Sequence, residues 1–389
     1  MPDSESFRTP AAVELSLLNV STEFGDDLEG VSLGAGTTIY DLNGEELFER
    51  VPIEGRAGVP AFADIARNPA MGAILMGVSR GIRWDEAALL QQAREAAGVR
   101  KAQREADSVR FVAYSFPKVA VQFLADGKEI ALLELWTWQP VPRRRRSKED
   151  GPSNFERWSF LDENPVDDLA KRRARFRARV RELEPIGDRL TDVVMTIDRA
   201  RLLDRLGISL NDLLFDTREL HFTTRNGDHH PCLELRGQET NVWCVGASVQ
   251  MVLDFYRYQY GQVRLAQELG LGTVSNPNGL PHSRDNDVVT TLEKLSNQSL
   301  DATLTQNPTW NLFRDEIRAN RPVISFVPGH SRVVAGYTRS TFMTLINLTP
   351  FRGLLVYDPW PPNAGVITRW ENWATHSYTQ GFTSHVTLV

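Results

Sequence analysis

The feature that most constrains the fold is a break in the chain between Gln139 and Ser153. Gln139-Pro140-Val141-Pro142 runs into Arg143-Arg144-Arg145-Arg146-Ser147-Lys148, then Glu149-Asp150-Gly151-Pro152-Ser153. Proline, glycine, serine and clustered like charge disfavour both helix and central strand, so an exposed loop is expected. A chain of 389 residues has room for two units of roughly 100–200 residues each. The break then frames four expected regions: a flexible lead-in (1–30), an α+β accessory domain (31–140), a basic linker and helix (141–216), and a second domain (217–389). No apolar run reaches the ~18 residues of a membrane helix, and the acidic start Met1-Pro2-Asp3-Ser4-Glu5-Ser6 does not read as a signal peptide. A cytoplasmic protein is therefore expected.

Within 31–140 the punctuation is local. Thr37–Tyr40 and Glu46–Val51 flank Asn43-Gly44, a hairpin turn dipeptide. Trp84–Glu105 reads as a helix, with Asp85 and Glu86 suited to its first turn and Ala87, Leu90, Ala93 and Ala97 at helical spacing. Val109–Phe116, Val119–Leu124 and Glu129–Trp138 read as strands, the last two joined through Asp126-Gly127. This half holds no nucleophile–base pair, phosphate loop or metal-ligand cluster.

After the break, Asp167–Leu183 reads as a helix carrying Lys171, Arg172, Arg173, Arg175, Arg177, Arg179 and Arg181, ended by Pro185-Ile186-Gly187. Leu169, Phe176, Val180 and Leu183 form one narrow apolar stripe, as a solvated connector would. The net charge is -6, the arginines spread around the helix and no aromatics interleave, so no nucleic-acid partner is expected.

The chain has two cysteines, too few for a disulfide framework or a four-cysteine zinc site. One of them stands in a suggestive place. After Cys244 the residues Ala247, Val249, Val252, Leu253 and Tyr256 mostly follow helical spacing, while Gly237 and Asn241 before it mark irregular backbone. Cys244 is thus expected at a helix N-terminus, where unpaired N–H groups and the helix dipole lower a thiol pKa. Gln238, six residues upstream, carries an amide able to donate to an oxyanion. Of seven histidines, His330 has the best context. Arg321–Val327 reads as a buried strand, Pro328-Gly329-His330 as a turn, and Arg332–Tyr337 as the returning strand. Gly353–Trp360 then reads as a strand ending at Asp358, a carboxylate placed to orient an imidazole.

These residues resemble the papain-like cysteine peptidases, most nearly the compact C39-like branch and the effector proteases of plant pathogens. The shared features are a glutamine ahead of Trp243-Cys244, a helix opening on the cysteine, Gly329-His330 entering a valine-rich strand, and Tyr357-Asp358-Pro359 closing the next. The resemblance spans roughly residues 220–389. It implies a papain-like α+β catalytic domain with Cys244 as nucleophile, His330 as general base and acid, Asp358 as orienter and Gln238 as oxyanion donor. It further implies a peptide or protein substrate, no cofactor and no metal. Val245-Gly246-Ala247-Ser248 and Ser331-Arg332 depart from the family's usual residues at those places. The same triad serves a transglutaminase or deamidase, and an inactive papain-like binding module is the remaining alternative. Regulation or autoprocessing by the N-terminal half, with cleavage in the Arg143–Ser153 loop, is a further expectation.

Several residues are set lower. His229, His230, Cys232 and Cys244 sketch a zinc site or a Cys232–Cys244 disulfide, but adjacent histidines in a strand point to opposite faces. His282 reads as a loop residue, His376 and His385 as structural or exposed. Asn363 is a substitute orienter ranked below Asp358. Trp360, Trp370 and Trp373 read as packing residues, one of them a shield for the His330–Asp358 contact.

Overall fold

In a computed structural model the described residues are 7–19, 28–55, 61–81, 83–98, 106–143, 155–194, 196–209, 215–220, 224–225, 228–229, 233–340 and 349–387. The basic run 144–148, the proposed cleavage loop beyond Arg143 and Cys232 lie outside them. Helices and strands are mixed throughout, and one fifteen-stranded sheet runs through both halves of the chain.

The N-terminal half contributes β1 (Thr37–Asp41), β2 (Glu46–Glu54), β3 (Ala61–Ala66), β4 (Leu75–Arg80), β5 (Ser108–Ser115), β6 (Lys118–Ala125) and β7 (Lys128–Glu134). The C-terminal half contributes β8 (Phe215–Glu219), β9 (Leu300–Gln306), β10 (Val323–Val327), β11 (His330–Ser340), β12 (Arg352–Asp358), β13 (Val366–Asn372) and β14 (Gln380–Val386). The order across the sheet is β9-β14-β10-β11-β12-β13-β4-β3-β2-β1-β5-β6-β7, with β8 pairing beside β11 and the two-residue strand Ser32–Leu33, the fifteenth, beside β2. Hairpins form where turn chemistry allows. Between β6 and β7, Asp126 (φ 49°) and Gly127 (φ 70°) both take the left-handed conformation that a two-residue hairpin turn requires.

Four expectations are corrected. The expected strand Glu129–Trp138 stops at Glu134, because the buried Glu134 carboxylate draws in the N–H groups of Trp136 (3.0 Å) and Thr137 (2.7 Å) and bends the chain. Residues 8–19 of the expected flexible lead-in form helix α1 (Arg8–Asn19), with Val13, Leu15 and Leu17 fully buried. The helix expected to end at Pro185 runs on as α3 (Val166–Val194), with Pro185 inside it. A proline costs a helix one hydrogen bond and a steric clash, and tertiary packing overrides that cost here. At Gly187 an added Cβ would sit 3.0 Å from Thr9 Cγ2, so α1 and α3 pack closely just beyond the proline. The expected helix from Trp84 begins at Glu86 as α2 (Glu86–Gly98), with Asp85 accepting from Ala88 N (3.1 Å).

Nor is α3 a solvated connector. Arg172 is buried and donates to Met71 O (3.3 Å), Ala374 O (3.3 Å), Thr375 O (2.8 Å) and Ser377 Oγ (2.8 Å). Arg179 binds Glu14, Glu182 and Thr349 O. These two arginines tie carbonyls and carboxylates of both halves to one helix, which their neighbours Arg173 and Arg177 do not do among the described contacts.

There are two large apolar cores. One lies under the N-terminal strands and α1–α3, and it takes in Phe351 and Trp370 from the C-terminal half. The other lies around α4 (Cys244–Phe255), which packs with α5 (Gln262–Leu269) and α6 (Asn286–Leu295) and against β10 and β11. The halves meet along β13 and β4, in antiparallel register from Ile367↔Arg80 to Glu371↔Gly77.

Candidate active site

The site lies where α4 meets β11. Residues Cys244 to Leu253 of α4 are buried except Gln250, so the helix is apolar on most of its surface and central to its core. Trp243, just before it, is anchored by its indole Nε1–H on Leu271 O (2.9 Å). Cys244 therefore begins the helix, as its spacing predicts. On the facing wall, β10 and β11 form a hairpin with Val327 opposite His330. Pro328-Gly329 is its turn, and Gly329 (φ 69°) takes the left-handed conformation that suits glycine. His330 is the first residue of β11.

Ser331 Oγ donates to Ser248 Oγ (3.0 Å), so one hydrogen bond registers the helix of Cys244 against the strand of His330. The backbone N–H groups of Ser331 and Val245 favour the thiolate form of Cys244. Asp358, the last residue of β12, accepts from His330 Nε2 (2.6 Å) and from Trp360 N (2.8 Å). Two donors fix the carboxylate, and the carboxylate fixes the ring. With Nε2 committed as donor, neutral His330 carries its acceptor at Nδ1. That nitrogen is buried and has no hydrogen-bond partner among the described residues.

The site is closed to solvent. Cys244 is 1% exposed and the His330 side chain 0%. Burial raises the Cys244 thiol above its usual range; Lys118 and the Ser331 and Val245 N–H groups pull the other way, and Asp358 adds to the rise. The helix N-terminus thus acts in the expected direction but is outweighed by desolvation. Burial pushes His330 down to about 4, against the pull of Asp358, with Lys118 and Arg332 adding to the fall. Both groups rest neutral at pH 7, as a thiol and an imidazole.

Gln238 is brought next to the Asp358 end of the site. Its Nε2 donates to Thr240 O (2.5 Å), which uses one of the amide's two N–H donors. Its backbone takes the structural part: Gln238 N donates to Pro359 O (3.0 Å), and Asn363 N donates to Gln238 O (2.8 Å). Gly237 lets these loops touch, since a Cβ there would lie 2.4 Å from Ala364 N. Gln262, which the sequence reading missed, braces the loop by accepting from Glu239 N (2.8 Å) and donating to Gly237 O (2.8 Å).

The lesser candidates fall elsewhere. The Asn363 side chain is exposed. His282 is part-exposed beside Asp285 (3.7 Å), and His385 is exposed beside Asp301 (3.4 Å). His376 is buried, with Nε2 3.2 Å from Glu371. Trp360 is buried next to Asp358, whereas Trp370 packs into the N-terminal core and Trp373 stacks on Tyr378 (4.2 Å). Among the described residues no group of three or more His, Cys, Asp or Glu side chains forms a metal site.

Two neighbours were not foreseen. Lys118, from the N-terminal half, is buried and donates to Gly329 O (3.3 Å) with its ammonium 5.3 Å from the Trp360 ring centroid. Its one sequence signal was a lysine set between Pro117 and an apolar run. Arg332 pairs with Glu371, whose Oε1 also accepts from Tyr378 OH (2.8 Å).

Residues 233–380 match the Peptidase_C39 like family, so the C-terminal region is C39-like. A similar solved structure is the crystal structure of a double glycine motif protease from an AMS/PCAT transporter in complex with the leader peptide. It is 14% identical, over 40% of this chain and 94% of that chain, with a TM-score of 0.28. No curated protein matches the chain.

Proposed function

We propose that this protein is a cysteine peptidase of papain-like design, with its catalytic unit in residues 217–389 and with Cys244, His330 and Asp358 as its triad. The observation that carries the reading is the 2.6 Å His330 Nε2–Asp358 contact, which leaves a buried, unpartnered Nδ1 on the strand that meets the Cys244 helix. The C39-like match over residues 233–380 supports the same class of chemistry.

The steps follow from these atoms. His330 Nδ1 takes the Cys244 thiol proton as the sulfur attacks the scissile carbonyl carbon, and the carbonyl π electrons move to oxygen. The oxyanion collapses, the C–N bond breaks, and imidazolium returns its proton to the leaving amine. Water, deprotonated by His330, then hydrolyses the thioester and restores the thiol. Asp358 holds the ring angle and stabilises the transient imidazolium. The Cys244 N–H at the helix start is one donor for the oxyanion, and the Gln238 amide, which gives one of its two N–H groups to Thr240 O, keeps the other for the same role. A peptide reaches the sulfur only when the closed site opens locally.

The test is a peptide library incubated with wild type and Cys244→Ala, read by mass spectrometry. Two fragments per substrate from the wild type and none from the variant are expected. A one-dalton gain without cleavage would replace hydrolysis by deamidation, and equal turnover by Cys244→Ala would sink the reading.

A further inference from the structure

We propose that the active site is composite, and that Lys118 of the N-terminal half is a positioning residue that holds the cationic environment in which Cys244 ionises. The inference rests on the triad assignment above. Its own ground is the way the N-terminal half enters the site.

Lys118 is the first residue of β6, paired with Ser115 at the closed end of the β5–β6 hairpin. The turn through Pro117 carries the side chain across to the histidine wall, where it donates to the carbonyl of Gly329, the residue before His330. Trp360, whose N–H holds Asp358, lies on its other side. Lys118, Asp358 and Trp360 line one cavity of about 90 Å³ between the two halves. A second N-terminal segment reaches the cysteine wall, where Asn241 Nδ2 donates to Gln139 Oε1 (2.8 Å). The N-terminal half thus touches both walls of the site.

This half is built in rather than laid on. Its sheet is continuous with the catalytic sheet through β4 and β13, and Arg172 locks α3 to Ala374 and Thr375. Burial lowers the pKa of the Lys118 ammonium, and Cys244, Asp358 and Glu134 pull it back up, so its charge and that of the thiolate support each other. Forming a thiolate in a dry site is opposed by desolvation, and a nearby positive charge offsets that cost. The charged and titratable groups around the pair are Lys118, His330, Asp358 and Arg332, with Glu134 and Tyr114 behind Lys118 and Glu371 behind Arg332. Of these, Lys118 is the cation that acts on the Cys244 thiol, against Asp358. The same charge disfavours a protonated His330, so the ring is kept ready as an acceptor. When the carbonyl is attacked, negative charge moves from sulfur to the adjacent oxygen and stays in the same field.

The experiment titrates the thiolate by its ultraviolet absorbance in the full chain, with the Cys244→Ala spectrum subtracted. Lys118→Met is expected to move the midpoint up by about one pH unit or more, and to cut kcat/KM near neutral pH by about tenfold. Lys118→Arg, which keeps the charge, is expected to hold the midpoint near that of wild type. Lys118→Gln replaces the methionine variant if that one does not fold. An unmoved midpoint, an arginine variant shifted as far as the neutral one, or faster turnover on loss of Lys118 would each overturn the proposal; the last would make the N-terminal half a cover. The titration needs no turnover. A flat titration with cysteine-dependent cleavage therefore fails Lys118 alone, while cleavage by Cys244→Ala fails the triad alone.

Discussion

His330 and Arg332 stand two residues apart on β11, so they project from the same face, and each meets a buried carboxylate. The two pairs have different fates. Glu371 accepts from Arg332 at both oxygens, and His376 and Tyr378 complete its shell. These partners hold its carboxyl well below the usual range, and Arg332 stays charged although fully buried. Asp358 is held as firmly, by His330 and the Trp360 N–H, but the ring it grips keeps one nitrogen unspent beside a thiol helix. A buried ion pair satisfied on every side of its carboxylate is architecture. The second pair leaves one acceptor on the ring unmatched, and in the proposed triad that acceptor is the base.

The contrast is sharpest on paired substitution. His330→Ala is expected to lower kcat by about 10²–10⁴ in protein that still folds, since general base catalysis is worth that much, with a smaller loss of stability from leaving the buried Asp358 carboxylate without its imidazole. Glu371→Ala should do the reverse, costing about 3–5 kcal/mol of stability by stranding Arg332, with activity lost only as the fold is lost. Denaturant titration beside steady-state kinetics checks both; a stable, inactive Glu371 variant would break the distinction.

Acid provides the next test. His330 is pushed down to about 4 and His376 is also lowered, so the unfolded chain binds protons that the folded chain refuses. Their contribution to stability is complete above the ordinary histidine value of 6.5 and is lost as pH falls towards about 4. Glu134 runs the other way: it is raised to about 7, so its contribution is lost as pH rises through that value. The two windows overlap between about pH 4.5 and 7 with opposite signs, so Glu134 blunts the loss that the two histidines cause on acidification. Glu134→Gln should therefore steepen the fall in denaturation midpoint between pH 7 and pH 5, and a midpoint unchanged over that range in this variant would contradict the histidine account.

The smallest effect is expected at the rim. The Asn241–Gln139 hydrogen bond is exposed and worth about 0.5–1.5 kcal/mol net. If local opening parts it, Gln139→Ala should raise the rate of Cys244 alkylation by a small reagent about two- to tenfold. An unchanged rate would place the opening elsewhere.

Much of the candidate site was legible because it is local. Pro328-Gly329 specifies a turn, apolar spacing after Cys244 specifies a helix, and the Asp358-Pro359 step ends a strand. Each of the three side chains lies at an element boundary that short-range chemistry sets. The roles of Gln238, Arg172 and Lys118 were not legible for the opposite reason. Whether the Gln238 backbone meets Pro359 O, or whether one arginine among seven neighbouring cations is the buried one, depends on what a distant segment presents. The same holds for α3, where packing against α1 carries the helix through Pro185.

By itself, then, the amino-acid order determined the hairpins, the helix start at Cys244, and the sequence of thiol, imidazole and carboxylate along the chain. Only the tertiary structure decided that the two halves share one sheet, that the thiol and ring are sealed and neutral, and that a lysine some 126 residues before the cysteine enters its field. Turn and helix preferences act over a few residues, whereas desolvation and charge act through whatever lies within a few ångströms, from any part of the chain.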